Sequence, residues 1–264
     1  MPFKYAGYPM LLSAITVDKD DNNFLSSDRA HLLVASSELV WLMCESSSLN
    51  GEELVRDGGI PLLATLLSRC MCVVQPTTPA TEPSATIVAN IMRTFPVLGQ
   101  FESARTEMLE FSGLVDDIVH CTALELVPAA IDAALQTIAH LSISSEIQNA
   151  LLKAGVLWYL IPLLLQYDST AEESDKTDAH GVGTSVLIAK NIHAVKASHA
   201  LSRLSGLVDE EIPTPYNRAA ADALRALLTP KLASMLKNKF AKDLLFTLNS
   251  NLESPEVKAA DFAF

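Results

Sequence analysis

Basic residues are scarce in this chain: 19 Lys plus Arg stand against 31 Asp plus Glu, a formal net charge of -12. A surface of that sign repels phosphate backbones, so nucleic acid is not an expected partner. Cysteine is scarce as well. The four present (Cys44, Cys70, Cys72, Cys121) are too few for a disulfide framework in 264 residues, and a reducing, cytoplasmic compartment is the expectation. Long apolar runs are lacking: the strongest, Ala154 to Tyr167, is shorter than the roughly 20 residues a membrane-spanning helix needs. The chain is therefore expected to be soluble or at most peripheral on a membrane. Its opening residues combine no basic start, apolar core and small-residue cleavage site, which predicts no secretory leader, and no Asn-x-Ser/Thr acceptor occurs.

Reactive motifs are lacking in the same way. There is no Gly-x-Ser-x-Gly and no His-Glu-x-x-His, so neither a nucleophile elbow nor a metal-binding helix is available. Gly181-Val182-Gly183 has no third glycine and no preceding strand, and reads as linker rather than a dinucleotide loop. Cys70-Met71-Cys72 with His120-Cys121 does not have zinc spacing, and Cys70 and Cys72 fall on different helix faces, which predicts buried structural thiols. His193 and His199 are six apart and cannot share one helix face. The run from Asp18 to Arg29, DKDDNNFLSSDR, puts Asp18, Asp20 and Asn22 at the first three ligand positions of a calcium loop. It then places Asn23 where that loop needs Gly and Arg29 where it needs a bidentate Glu. A turn capping the next helix through Ser26, Ser27 or Asp28 is the expectation. No catalytic residue, metal or cofactor is predicted.

What the chain does have is repetition. NGEELVRDGGIPLLATLL (Asn50 to Leu67) returns as ARTEMLEFSGLVDDIV (Ala104 to Val119) and as SSEIQNALLKAGVLWYLIPLLL (Ser144 to Leu165). Each is a short amphipathic helix, a glycine and a second apolar helix. A fourth, weaker copy begins at Asn217, with Leu228 in the glycine's place. Gly59, Gly113 and Gly155 mark the corners, since glycine accepts the left-handed conformation that ends a helix. A proline such as Pro61 suits the first turn of the next helix, whereas Pro162 and Pro230 lie deeper and are expected to kink theirs. Between corners stand further helices, expected at Ser36 to Ser47, Ser84 to Phe95, Pro128 to Ser142 and Ile192 to Ser205. In the third of these Ile131, Leu135, Ile138 and Leu141 recur at helical spacing. The fold class is all-α. A Pro/Thr-rich insert, 75–83, and an acidic flexible loop, 166–190, interrupt a single repeat domain spanning 1–264.

The segments EIQNALLKAGVLWYLIPLLL and AALQTIAHLS resemble the armadillo repeat, which runs about 40 to 47 residues. The resemblance implies an armadillo/HEAT-like, right-handed superhelical solenoid of about four to five repeats, in which each unit packs mainly on its neighbours. More narrowly, NGEELVRDGGIPLLATLLSRCM and IQNALLKAGVLWYLIPLLLQYD resemble the helical-repeat region of the large endosomal J-domain proteins of the receptor-mediated endocytosis family, nearest to its plant, gravitropism-defective branch. That resemblance implies a fragment of a co-chaperone working in endosomal trafficking and vacuolar or lysosomal sorting. It implies contacts with sorting nexin and retromer machinery, and peripheral association with endosomes. The chain has no His-Pro-Asp triad, so contact with a heat-shock 70 chaperone would pass through a J domain outside it.

The armadillo family holds bound peptides with an Asn just before the last Leu of the third helix. The matching positions here are Trp41 in LVWL, Asn90 in VANI, His140 in IAHL and Arg203 in LSRL. These four are the candidate partner-binding residues of a concave face, Trp and Arg being types that anchor interfaces. Lys231, Lys237, Lys239 and Lys242 form a second candidate, for an acidic partner or lipid headgroups. Two other readings stand beside the scaffold: a spacer solenoid with no partner of its own, and an α-helical enzyme.

Overall fold

The structure is a computed structural model that describes residues 8–18, 21, 23–166 and 182–204. Among these residues there are eleven α-helices and no strand, as the helical spacing predicts. The chain divides into two compact units, Met1–Leu141 and Ser142–Phe264, each described by itself.

The first unit holds α1 (Tyr8–Ile15), α2 (Ser27–Ser46), α3 (Ser48–Arg56), α4 (Gly59–Met71), α5 (Pro83–Leu98), α6 (Glu102–Glu110), α7 (Leu114–Cys121) and α8 (Pro128–Leu141). The second holds α9 (Ser145–Lys153), α10 (Val156–Leu165) and α11 (Val182–Leu204). Short helix, corner, second helix, third helix thus recurs as α3–α4–α5, α6–α7–α8 and α9–α10–α11. In the first unit α5 packs on α2 on one side and on α8 on the other, while α4 packs on both α5 and α7. The core runs through α5, where Ile87, Val88, Ile91, Met92, Phe95 and Leu98 are fully buried.

The corners are made as the glycines suggest, with one shift. Gly58, Gly113 and Gly155 take φ of 78°, 85° and 76°, the left-handed region that a side chain makes costly. At the first corner it is Gly58, not Gly59, that turns. Gly59 is the first helical residue of α4, and a Cβ there would come within 2.6 Å of the Leu54 side chain and 2.8 Å of the Leu54 carbonyl. At Gly58 a Cβ would meet nothing within 4 Å. The Gly-Gly pair therefore answers two needs: the first glycine supplies the dihedral and the second the space. In the second unit, the Gly155 corner turns the chain by 82° between α9 and α10. Pro162 lies inside α10, which continues from Val156 to Leu165; Pro230 and the fourth copy lie outside the described residues.

Helix limits depart from expectation mainly in α2, which starts nine residues early, at Ser27 rather than Ser36. Ser26 holds the N-cap position, but its side chain makes no capping bond. The link is made instead by the Ser26 carbonyl, which accepts from Ala30 N at 2.7 Å. Ser47 ends α2 in an extended conformation and caps α3, its hydroxyl accepting from Leu49 N at 3.3 Å. The Asn50 amide donates back to the Met43 carbonyl at 2.9 Å, binding the two helices at this break. The insert 75–83 ends in the structure at Glu82, because Pro83 opens α5, where its missing N–H costs nothing. Of the stretch 166–190, residues 167–181 lie outside the described ones, and Val182 to Lys190 are helical, the first turns of α11.

Candidate functional site

Three of the four positions matched to the peptide-holding Asn lie in the first unit, on the consecutively packed helices α2, α5 and α8. Asn90 is bonded within its own unit. It is 3% exposed, and its amide nitrogen donates to Ser37 Oγ at 3.1 Å, with the Val34 carbonyl at 3.5 Å. The one residue that keeps the family's amide therefore ties α5 to α2. A buried amide left without a partner is costly, and Ser37, itself buried, supplies one.

His140, half-buried, is likewise occupied. Its Nδ1 lies 2.8 Å from the Pro96 carbonyl in the last turn of α5. A carbonyl can only accept, so Nδ1 carries the proton, and the ring caps a helix end whose carbonyls lack intrahelical partners. Arg105 caps the same end with one guanidinium nitrogen, 3.0 Å from the Gly99 carbonyl and 3.1 Å from that of Gln100. Trp41, also half-buried, lies beneath Arg93, whose guanidinium carbon sits 4.5 Å from the ring centroid. Arg93 was not singled out in the sequence. The signal that could have found it is its spacing: three residues beyond Asn90 on α5, it occupies the next turn of the same helix face. Arg203 belongs to the second unit. It is half-buried in α11 with its Nε shielded from solvent and unbonded, and Gln148 of α9 lies 3.5 Å from its backbone carbonyl. Of the candidate row, then, two side chains serve the packing of their own unit, and the Trp41–Arg93 pair remains the open feature. Lys231, Lys237, Lys239 and Lys242 lie outside the described residues.

In the calcium-like run, Asp20 and Asn22 lie outside the described residues, and the part around Asp21 and Asn23 makes a turn. Asp21 Oδ1 accepts from Asn23 N at 2.9 Å, closing an Asx turn. Arg69 of α4 donates to the Asp21 carbonyl and stacks 5.0 Å over the Phe24 ring, while Arg29 donates to the Thr16 carbonyl at 2.8 Å. Among the described residues no group of three potential metal ligands converges.

Three thiols are buried as expected and one is not: Cys72 is exposed just past α4. Burial pushes the Cys44 thiol up to about 12. It does the same to Cys70, with the neighbouring Arg69 opposing it slightly. Cys121 is raised further by burial, with Asp117 adding to it, and its sulfur lies 3.6 Å from that of Met71. Thiols held neutral in this way are poor nucleophiles and poor metal ligands. Asp117 is also raised by burial, though a hydrogen bond from Ser68 and the charge of His120 partly offset it. In α11, His193 is buried and His199 exposed, so the two do not share one helix face. A groove of about 760 Å³ lined by Pro9, Leu12, Ser13, Thr16, Asp18, Asp57 and Leu62 lies open at the surface beside α1.

No protein-family model matches the sequence. Over 256 residues, 97% of its length, the chain is 70% identical to a protein of Arabidopsis thaliana named DnaJ homolog subfamily C GRV2, and it spans 10% of that protein. Among solved structures it resembles one described as the crystal structure of an engineered protein, with a TM-score of 0.53 and 12% identity, covering 92% of this chain and 98% of the other. At that identity the likeness speaks for the helical fold alone.

Proposed function

We propose that this chain, which belongs to the same family as the matched stretch of that large DnaJ homologue, is a non-enzymatic protein-interaction scaffold within a J-domain co-chaperone. The 70% match carries the reading. Three helical corners of one design, each turning on a left-handed glycine, support the finer statement that its helices form an armadillo-like, right-handed solenoid. In this reading the co-chaperone sits peripherally on endosomes, on the cytoplasmic side, and sorts cargo towards the vacuole or lysosome. Its partners are proteins of the sorting nexin and retromer class. A heat-shock 70 chaperone is engaged only through a J domain that this chain does not contain.

The docking surface proposed here centres on Trp41 with Arg93 above it, since an aromatic ring and a guanidinium are the usual anchors of an interface. Asn90 and His140 are its further candidate contacts in the same unit; Arg203 of the second unit, and Lys231, Lys237, Lys239 and Lys242, which lie outside the described residues, are separate candidate contacts. A specific observation favours the alternative of a spacer without its own partner: Asn90 and His140 are already bonded within the first unit. One capture experiment from endosomal extract separates the two. The scaffold reading expects sorting proteins to be retained by the chain and lost when Trp41, His140 and Arg203 are all changed to Ala. Equal capture by both forms, or none by either, would leave the spacer reading in its place.

A further inference from the structure

The exposed apolar residues of α2 form a line. Leu32, Ala35, Leu39 and Leu42 follow at steps of three, four and three along the helix, which sets them on one face. Leu32, Leu39 and Leu42 are 50%, 49% and 45% exposed. The opposite face of α2 is the one that meets α5: Asn90 reaches Val34 and Ser37 there, and Arg93 covers Trp41.

The third helices can be put in register on LVWL, VANI, IAHL and LSRL. In α5 the positions matching Ala35, Leu39 and Leu42 are Ser84, Val88 and Ile91. In α8 the four matching positions are Ile131, Ala134, Ile138 and Leu141; in α11 they are Ala194, Ala197, Leu201 and Leu204. All of these are buried, the most accessible being Ser84 at 9%. One face is therefore covered in three helices and bare in α2. Glu38 and Glu45, both exposed and seven residues apart, border the bare line along one edge.

We propose that this stripe of α2 is a joint that receives one further helix, seated against it on the side opposite α5. The occupant carries an apolar line of matching period and basic residues facing Glu38 and Glu45. It belongs to the same polypeptide in the long J-domain relatives, where a stretch like this chain is only 10% of the whole. Continuity with the α2–α5 packing and the acidic border carry the inference. It does not depend on partner capture: the scaffold reading can fail while the joint stands.

The test places a benzoylphenylalanine photocrosslinker at position 39 of this chain and at the matching position of the full-length Arabidopsis relative. The expected product in the long protein is an internal crosslink to a helix outside the matched stretch. In parallel, Leu39→Cys in a Cys72→Ser background of this chain should react with maleimide at least about tenfold faster than its counterpart in the long protein, because docking closes the site there. A second variant guards against misfolding: Leu39→Glu with Leu42→Glu should leave the helix content and melting of this chain unchanged but lower the melting temperature of the long protein. A crosslink between two copies, a crosslink to a different protein, or equal maleimide rates in the two proteins would each overturn the proposal.

Discussion

Helices α2 and α5 share a sequence register, and their environments differ. α5 is flanked on both sides and hides residues all round, including the polar Asn90 and Thr94. α2, longer by four residues at 20 against 16, presses one face on α5 and leaves leucines bare on the other. The contrast shows that burial here belongs to a position in the layer order rather than to residue type: leucine is exposed in α2 where isoleucine and valine are sealed in α5. It also shows why an amide that binds peptides elsewhere can become a structural tie. Asn90 sits where a neighbouring third helix presents a serine, and the tie satisfies both.

The largest test of this contrast is a pair of truncations at matched positions. Ile91→Ala, in the sealed face, should cost about 2–5 kcal/mol of unfolding free energy in urea titration, whereas Leu42→Ala should stay within about 0.5 kcal/mol. Similar losses at both sites would break the comparison. Next comes the tie itself. Asn90→Ala should cost about 0.5–1.5 kcal/mol, because the bond from its amide to Ser37 Oγ is lost while the Ser37 hydroxyl keeps its own bond to the Val34 carbonyl. Adding Ser37→Ala should then cost clearly less than it does alone, and simple additivity in the double-mutant cycle would deny the bond. Smaller still, Arg93→Ala should lower stability by about 0.5–1 kcal/mol through loss of the contact over Trp41, read as a fall of a few degrees in the calorimetric melting temperature.

The least costly probe is chemical. In the folded chain at pH 8 a disulfide reagent should titrate Cys72 promptly and Cys44, Cys70 and Cys121 only upon unfolding. Prompt reaction of Cys44, on the inner face of α2, would mean that α2 peels from α5. The same burial gives a pH dependence. The folded state binds the thiol protons more tightly than the unfolded chain, so the stability they lend is complete below the ordinary value of 9.0. It declines as pH rises from there towards about 12 for Cys44 and Cys70. Stability that rose across that interval would contradict the assigned burial.

How much of this could be read from the residues depends on how local each cause is. Helix, glycine corner and apolar helix could be read, because a left-handed glycine and a 3.6-residue period are decided within one turn. Which glycine of the pair at 58 and 59 would turn could not, since both satisfy the dihedral and only the approach of Leu54 separates them. The start of α2 was legible from its capping residues, where Ser26 holds the N-cap, but not from its apolar pattern, which placed the helix at Ser36 because an exposed leucine line looks the same as an irregular apolar run until α5 is in place. The site was the least legible part. The roles of Asn90, His140 and Arg93 are set by Ser37, Pro96 and Trp41, each 44 or more residues away in sequence.

The two tryptophans of the chain happen to fall one in each compact unit. Trp41 is shielded under a guanidinium in the first, and Trp158, on α10 of the second, is 83% exposed. A collisional quencher such as iodide would thus silence the indole of Trp158 first, and the emission that survives would report on the first unit alone. Heating or denaturant could then be followed in each half separately, without any added dye, and would reveal whether the halves let go together or in turn.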